Sequence, residues 1–220
     1  MNWIMIRHGM TQGNAERRYV GCRTDEPLCA EGIAKLKQGI YPAVKKVYSS
    51  PMRRCLETAA ILYPNIKAEI IPDFRECDFG GFEYKNYEEL NGRADYQAWI
   101  DSGGELPFPD GESRTEFTAR SLAAFQSIRQ DADSEDCALI VHGGTIMSIM
   151  ETMARPRGNY YDFQVKNGCG YILEEDGSYT GIGLGRLLPL GQHVPHPGID
   201  VHSIYLLQVF RRHDIADQSL

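Results

Sequence analysis

The stretch that decides the fold is NWIMIRHG, residues 2–9. Its apolar part, residues 2–6, has the length and composition of a buried β-strand. Arg7 and His8 follow at the end of this strand, which is the edge where open α/β sheets usually bind their ligands. The stretch therefore predicts both a central strand and the position of a functional site.

The rest of the chain alternates short β-rich runs with segments of helical periodicity. Further strands are predicted over 46–50, 68–71, 137–141, 169–174 and 179–182, and helices over 31–39, 52–63, 113–131 and 146–153. The sequence EDGS at 175–178 is typical of a β-hairpin turn. This order predicts an α/β fold, a three-layer α/β/α sandwich with a mainly parallel central sheet.

The domain organisation follows from where this alternation holds. Residues 1–183 are predicted to form one domain, in which 73–112, rich in Gly and Pro with short helical pieces, are an insertion over the active site. Residues 184–220 lose the pattern and are predicted to be a C-terminal extension. Its His193, His196 and His202, with Asp200, do not have the spacing of a metal site.

Composition excludes several classes of function. The 220 residues are 42% hydrophobic and 24% charged, as in globular proteins, and the net charge of −7 repels nucleic acid and anionic membranes. The opening apolar run is too short for a signal peptide or a membrane span, so we expect a cytoplasmic protein. The six cysteines form no C-x-x-C pair, which favours reduced thiols over a metal site.

Arginine and histidine side chains recur at three predicted strand ends. Arg7 and His8 follow the first strand, Arg54 follows the second within SSPMRR (49–54), and His142 follows the fourth within HGG (142–144). Guanidinium groups, imidazoles and backbone amides at helix starts are the groups that bind a tetrahedral dianion. An acidic protein must bind an anion through such a local cluster.

Six ordered blocks of sequence carry a resemblance to a known family. The blocks are RHGMTQGN (7–14), DEPL (25–28), SSPMRRCLETA (49–59), ECDFGGFE (76–83), PDGES (109–113) and VHGG (141–144). Together they resemble the histidine phosphatase superfamily, in its phosphoglycerate mutase-like branch. The resemblance extends over residues 2–183 and implies a phosphoglycerate mutase-like fold.

The resemblance also implies residue roles. His8 becomes the nucleophile, which is phosphorylated during turnover, while Arg7, Arg54 and His142 hold the phosphoryl oxygens. Asn14 adds a side-chain amide, and Thr11 and Gly143 complete the phosphate-binding set. Elementary electrostatics agrees, since two neighbouring guanidiniums lower the pKa of an imidazole and keep it neutral and nucleophilic. His142, by contrast, is expected to become cationic when a phosphate dianion binds.

The departing alkoxide needs a proton, and the resemblance assigns the general acid to Glu76. Burial beside Phe79 and Phe82 would favour the protonated form of this carboxyl. Asp78 and Glu83 lie nearby in the sequence and compete for the same role.

The sequence departs from the family pattern at four positions, which are Met10, Cys55, Phe82 and Tyr84. None belongs to the expected phosphate-binding set. They leave the reaction type intact and put the identity of the substrate in doubt.

The predicted function is a metal-independent phosphomonoesterase without a cofactor, acting on a small phosphorylated metabolite through a phosphohistidine. Within the family the chain looks most like the α-ribazole phosphatase and broad-specificity phosphatase group. One alternative is a phosphoglycerate mutase, although the segment YKNYEE (84–89) is more acidic than the basic segment usual there. The other is a non-catalytic phospholigand-binding protein. A homodimer is the assembly to test.

Overall fold

The computed structural model describes residues 1–130, 135–183 and 186–188. The strands are β1 (Asn2–Arg7), β2 (Lys46–Ser49), β3 (Glu69–Ile70), β4 (Cys137–Val141), β5 (Gly170–Glu174), β6 (Tyr179–Gly183) and β7 (Arg186–Leu188). The helices are α1 (Gln12–Ala15), α2 (Ala30–Gln38), α3 (Arg53–Leu62), α4 (Tyr87–Leu90), α5 (Ala94–Asp101), α6 (Arg114–Gln130) and α7 (Gly143–Met153). None of these helices combines the length and apolar composition that crossing a bilayer requires.

In the described part of the chain the strands form one sheet in the order β3-β2-β4-β1-β5-β6-β7. The β3, β2, β4 and β1 half is parallel, and β5, β6 and β7 continue it in antiparallel pairing. The predicted α/β fold is confirmed, and the sheet is mixed. The turn at 175–178 joins β5 to β6, which are antiparallel because so short a connection can join only antiparallel strands.

Both faces of the sheet are buried. In β1, Trp3 and Met5 contribute to the hydrophobic cluster on one face, and Ile4 and Ile6 to the cluster on the other. β4 alternates in the same way. Helices α6 and α7 cover the first face and α3 covers the second, which gives three layers. The near-continuous apolar run of the first strand therefore reflects burial on both sides.

A second compact unit contains residues 13–24 and 77–116. Its core is a cluster of six aromatic side chains whose neighbouring rings lie 4.9 to 6.5 Å apart, Tyr19, Phe79, Phe82, Tyr96, Trp99 and Phe108. Helix α4 within it begins at a capping box, in which Asn86 and Glu89 satisfy each other's backbone N–H groups. The Gly- and Pro-rich middle of the sequence thus has an aromatic core of its own.

The largest difference from the predicted elements is the start of α7. The helix begins at Gly143, although the two glycines after His142 indicated a loop that ends before Ile146. Glycine costs only about 0.5–1 kcal/mol relative to alanine within a helix, and the burial of Ile146, Ile149 and Met150 along α7 offsets this cost.

A capping box precedes α6, in which Ser113 and Glu116 exchange side-chain to backbone hydrogen bonds of 2.9 and 3.2 Å. Strand β7 was not predicted. The three histidines of the predicted C-terminal extension, His193, His196 and His202, lie outside the described residues.

The same substitution at two isoleucines tests this burial. Ile140 in β4 is fully buried, whereas Ile40 is 74% exposed. We expect Ile140→Ala to lower the free energy of unfolding by about 2–5 kcal/mol, through lost burial and the cavity that remains. Ile40→Ala should change it by less than about 0.5 kcal/mol. Urea denaturation measures both, and equal losses would contradict the three-layer core.

Candidate active site

His8 lies at the point where β1 leaves the sheet. Its backbone N–H donates to the Val141 carbonyl at 2.9 Å, which extends the pairing with β4 by one residue. The side chain is 3% exposed, and its Nδ1 lies 2.7 Å from the Gly9 carbonyl oxygen. Since a carbonyl only accepts, Nδ1 carries the hydrogen and Nε2 of the neutral ring keeps a free electron pair. This is the arrangement that a nitrogen nucleophile needs.

His142 follows β4 directly and occupies the N-cap position of α7. Its ring is fully buried, with the ring centroid 5.2 Å from that of His8. Nε2 lies 2.8 Å from Ser50 Oγ, and Nδ1 lies 3.8 Å from Glu76 Oε2. The two histidines predicted to act together are therefore neighbours, and Ser50 fixes the orientation of the second.

Two arginines lie close enough to the His8 and His142 rings to act on them electrostatically. Arg54, in the first turn of α3, is fully buried. Arg7 ends β1, and its Nη1 donates to the Val165 carbonyl at 2.8 Å. Burial, then Arg54, then Arg7 lower the pKa of His8 well below its ordinary value of 6.5. The expected electrostatic effect of the arginines is present, although burial is the larger cause.

The pKa of His142 is also lowered well below 6.5, by burial first and then by Arg54, His8, Arg7 and Arg120. Both rings are therefore neutral in the ligand-free protein at pH 7. The expected cationic state of His142 concerns the complex with a phosphate, in which the dianion offsets these neighbouring charges.

Glu76 is the carboxylate beside the histidines. It is 8% exposed and follows the short 3-10 helix Pro72–Phe74. A Cβ atom on Gly144 would lie 3.2 Å from Glu76 Oε1 and 2.8 Å from the Phe117 ring. The glycine thus leaves room for the carboxyl over the first turn of α7, next to His142.

The two competing carboxylates are engaged in contacts within the second unit. Asp78 Oδ1 forms an ion pair of 2.7 Å with Arg23 and accepts the Gly80 N–H at 3.0 Å. Glu83 Oε1 accepts the Gly21 N–H at 3.0 Å. These contacts give both side chains a structural role, whereas the contact of Glu76 with His142 places it among the predicted catalytic groups.

The remaining predicted residues are found in three settings. Thr11 is fully buried at a β-bridge with Leu28. Gly143 opens α7, and a Cβ atom there would lie 3.5 Å from Arg7 Nε, so its backbone belongs to the cluster. Asn14 lies half-buried in α1 and is part of the second unit.

Some residues around the site had no predicted role. Thr58 Oγ1 accepts the Gly9 N–H at 2.9 Å and donates to the Arg54 carbonyl at 2.7 Å, so it connects the His8 loop to α3. Its place in the block at 49–59, one turn after Arg54, is the signal that could have identified it. Asn167 Nδ2 donates to the His8 carbonyl at 3.1 Å from a loop without any recognisable motif.

The described residues have the geometry of an oxyanion cluster and not that of a metal site. No group of three or more His, Cys, Asp and Glu side chains there is arranged to hold a metal ion. What those residues do form is a cluster of two arginines, two neutral histidines and a carboxyl group, which can bind an oxyanion and exchange protons with it.

Comparison with known proteins identifies the family. The model of the histidine phosphatase superfamily (branch 1) matches residues 3–183. A curated relative from Proteus mirabilis, named "Probable phosphoglycerate mutase GpmB", is 30% identical over 160 residues, which cover 68% of this chain and 73% of the relative.

Two crystal structures show the same fold. The α-ribazole phosphatase from Shigella flexneri is 21% identical, with a TM-score of 0.72 over 90% of this chain and 100% of the other. A phosphoglycerate mutase from Thermus thermophilus is 24% identical, with a TM-score of 0.64 over 87% and 99% of the two chains. From the match to its family model, this chain belongs to the histidine phosphatase superfamily, branch 1.

Proposed function

We propose that the protein is a phosphomonoesterase that hydrolyses a small phosphorylated metabolite through a phosphohistidine on His8. The observation that carries the proposal is the state of His8, a buried, neutral imidazole whose Nδ1 is held by the Gly9 carbonyl at 2.7 Å. Its Nε2 attacks phosphorus, the P–O bond to the leaving group breaks, and water later releases phosphate from the ring.

Arg7, Arg54 and His142 bind the transferring phosphoryl group in this proposal, together with the backbone of Gly143. Fixed cations in a water-poor site stabilise the charge on the equatorial oxygens, and in phosphoryl transfer this stabilisation and positioning provide most of the catalysis. Thr11 and Asn14 are assigned to phosphate binding from the family motif. Glu76 protonates the leaving oxygen and then accepts a proton from the attacking water.

A phosphoglycerate mutase is the second candidate, favoured by the name of the curated relative. A mutase must rebind its phosphorylated intermediate, which positive charge assists. Here the segment 84–89 contains one lysine and two glutamates, and Glu89 is already paired with Arg18 at 2.9 Å. This composition favours hydrolysis. Incubation with 3-phosphoglycerate separates the two, since a hydrolase releases phosphate and a mutase forms the 2-phospho isomer.

The covalent step is tested on His8. Wild-type protein should hydrolyse p-nitrophenyl phosphate in the presence of EDTA, and a rapid acid-free quench with radiolabelled substrate should trap phosphate on a histidine. His8→Ala should reduce kcat by more than about 10³-fold, as expected for loss of a nucleophile. Loss of wild-type activity in EDTA, restored by zinc or magnesium, would refute the mechanism.

The protonation of the two histidines gives a second prediction. Because the pKa values of His8 and His142 lie well below 6.5 in the native protein, their ring signals should stay in the neutral position as the pH falls from 8 to 6. The unfolded chain binds these protons near pH 6.5, so the free energy of unfolding should decrease below that pH. NMR titration measures the ring states, with the signals assigned from His8→Asn and His142→Asn. A midpoint at or above 6.5 for either ring in the ligand-free protein would be incompatible with this view.

The general acid is tested by the basicity of the leaving group. Glu76→Gln should lower kcat/KM for an alkyl phosphate by about 10²–10⁴-fold. It should affect p-nitrophenyl phosphate far less, because p-nitrophenolate leaves without a proton. Asp78→Asn and Glu83→Gln are the matched controls. If a control shows this dependence and Glu76→Gln does not, the acid is a different carboxylate.

A further inference from the structure

Arg120, on the face of α6 near residues 73–76, holds the backbone that carries Glu76. Its Nη1 donates to the Asp73 carbonyl at 2.6 Å and to the Arg75 carbonyl at 3.1 Å. These carbonyls belong to the residues that precede Glu76. One guanidinium thus fixes two peptide groups at the base of this side chain.

The segment that carries Glu76 has little regular structure to hold it. It is anchored upstream, where the Ile71 N–H donates to the Ser49 carbonyl at 2.9 Å and Phe74 is fully buried. After the three-residue 3-10 helix at 72–74, the Arg75 N–H donates to the Pro72 carbonyl at 3.1 Å. The carbonyls of this turn point to Arg120, which therefore connects it to a helix of 17 residues.

Arg120 is itself held in place by Phe117. Its guanidinium carbon lies 5.1 Å from the centre of the Phe117 ring, which is 2% exposed. The same ring approaches Gly144, where a Cβ atom would lie 2.8 Å from it and 3.2 Å from Glu76 Oε1. The Phe117 ring and the Glu76 carboxyl thus both lie next to Gly144, and Arg120 packs against the same ring.

The charge of Arg120 also reaches the site, as it contributes to the lowered pKa of His142, after burial, Arg54, His8 and Arg7. Arg120 is thus within electrostatic range of the groups that would bind phosphate. The two hydrogen bonds of its Nη1, however, are directed at the backbone before Glu76.

We propose that Arg120 is a positioning residue for proton transfer, which holds the Glu76 carboxyl in place over the first turn of α7 through the carbonyls of Asp73 and Arg75. The inference rests on the proposed function, in which Glu76 is the general acid. It predicts that loss of Arg120 slows the hydrolysis of substrates whose leaving group needs a proton. Substrates whose leaving group departs without a proton should be hydrolysed at nearly the wild-type rate.

The test uses Arg120→Met, which keeps the length and apolar contact of the side chain and removes its donors and charge. Arg129→Met is the matched control, because it removes the same charge from the same helix. The guanidinium carbon of Arg129 likewise lies over an aromatic ring, 5.8 Å from the centre of Phe125. For Arg120→Met we expect kcat/KM for an alkyl phosphate to fall about 10–100-fold, with p-nitrophenyl phosphate within about 3-fold of wild type. Arg129→Met should leave both substrates within about 3-fold.

Double variants provide the readout that a general loss of structure would not give. In the Glu76→Gln background, Arg120→Met should cost little further activity on the alkyl phosphate, because the group it positions is already gone. Arg120→Gln, which retains one amide donor, should show a smaller change in the ratio of the two kcat/KM values and serves if Arg120→Met does not fold. A wild-type ratio in both Arg120 variants, or a full additional loss in the double variant, would overturn the proposal.

Failure of the two proposals is distinguishable. If Glu76→Gln shows no dependence on the leaving group, the general acid is wrongly assigned, and the role of Arg120 is overturned with it. If Glu76→Gln shows the dependence and the Arg120 variants do not, the proposed function survives and only the positioning role is rejected.

Discussion

The parallel pairing of β1 with β4 is the constraint on which the candidate site depends. Its register aligns Arg7 with Val141, so the residues that follow, His8 and His142, leave the sheet side by side. A slip of one residue would exchange the two faces of β1, placing Trp3 and Met5 where Ile4 and Ile6 now lie. The packing of both faces therefore enforces the distance between the two imidazoles, and the core and the site are specified by the same contacts.

The site concentrates positive charge in a place with little water. Arg54 has no exposed surface, and burying a guanidinium costs solvation energy that nearby cations would increase. The two histidines limit this cost by remaining neutral, since their pKa values are lowered by the burial and the arginines around them. In the proposed function an incoming phosphate would bring negative charge to the same place, where the buried arginine charge would stabilise it.

The strands of the parallel half and the residues at their ends could be predicted from the sequence, because the boundaries of these strands are clear. The apolar runs before His8 and His142 have clear boundaries, and parallel strands bring such ends to one edge. The antiparallel pairing of β5 with β1 was harder to predict, since no local sequence pattern specifies it. Asn167 was missed for a related reason. It donates to a backbone carbonyl of the His8 loop, and a hydrogen bond between distant residues leaves no spacing to recognise.

Cys55 is buried beside the same side chains, and this burial changes the reactivity of its thiol. Its Sγ lies 3.6 Å from Nε2 of His142, with no exposed surface, and burial raises the pKa of the thiol to about 12 although Arg54 opposes the shift. A thiol that is neither ionised nor accessible does not react with alkylating agents. Labelling of Cys55 therefore requires α3 to separate from the sheet, so the rate at which this one sulfur is modified reports how often that face of the protein opens.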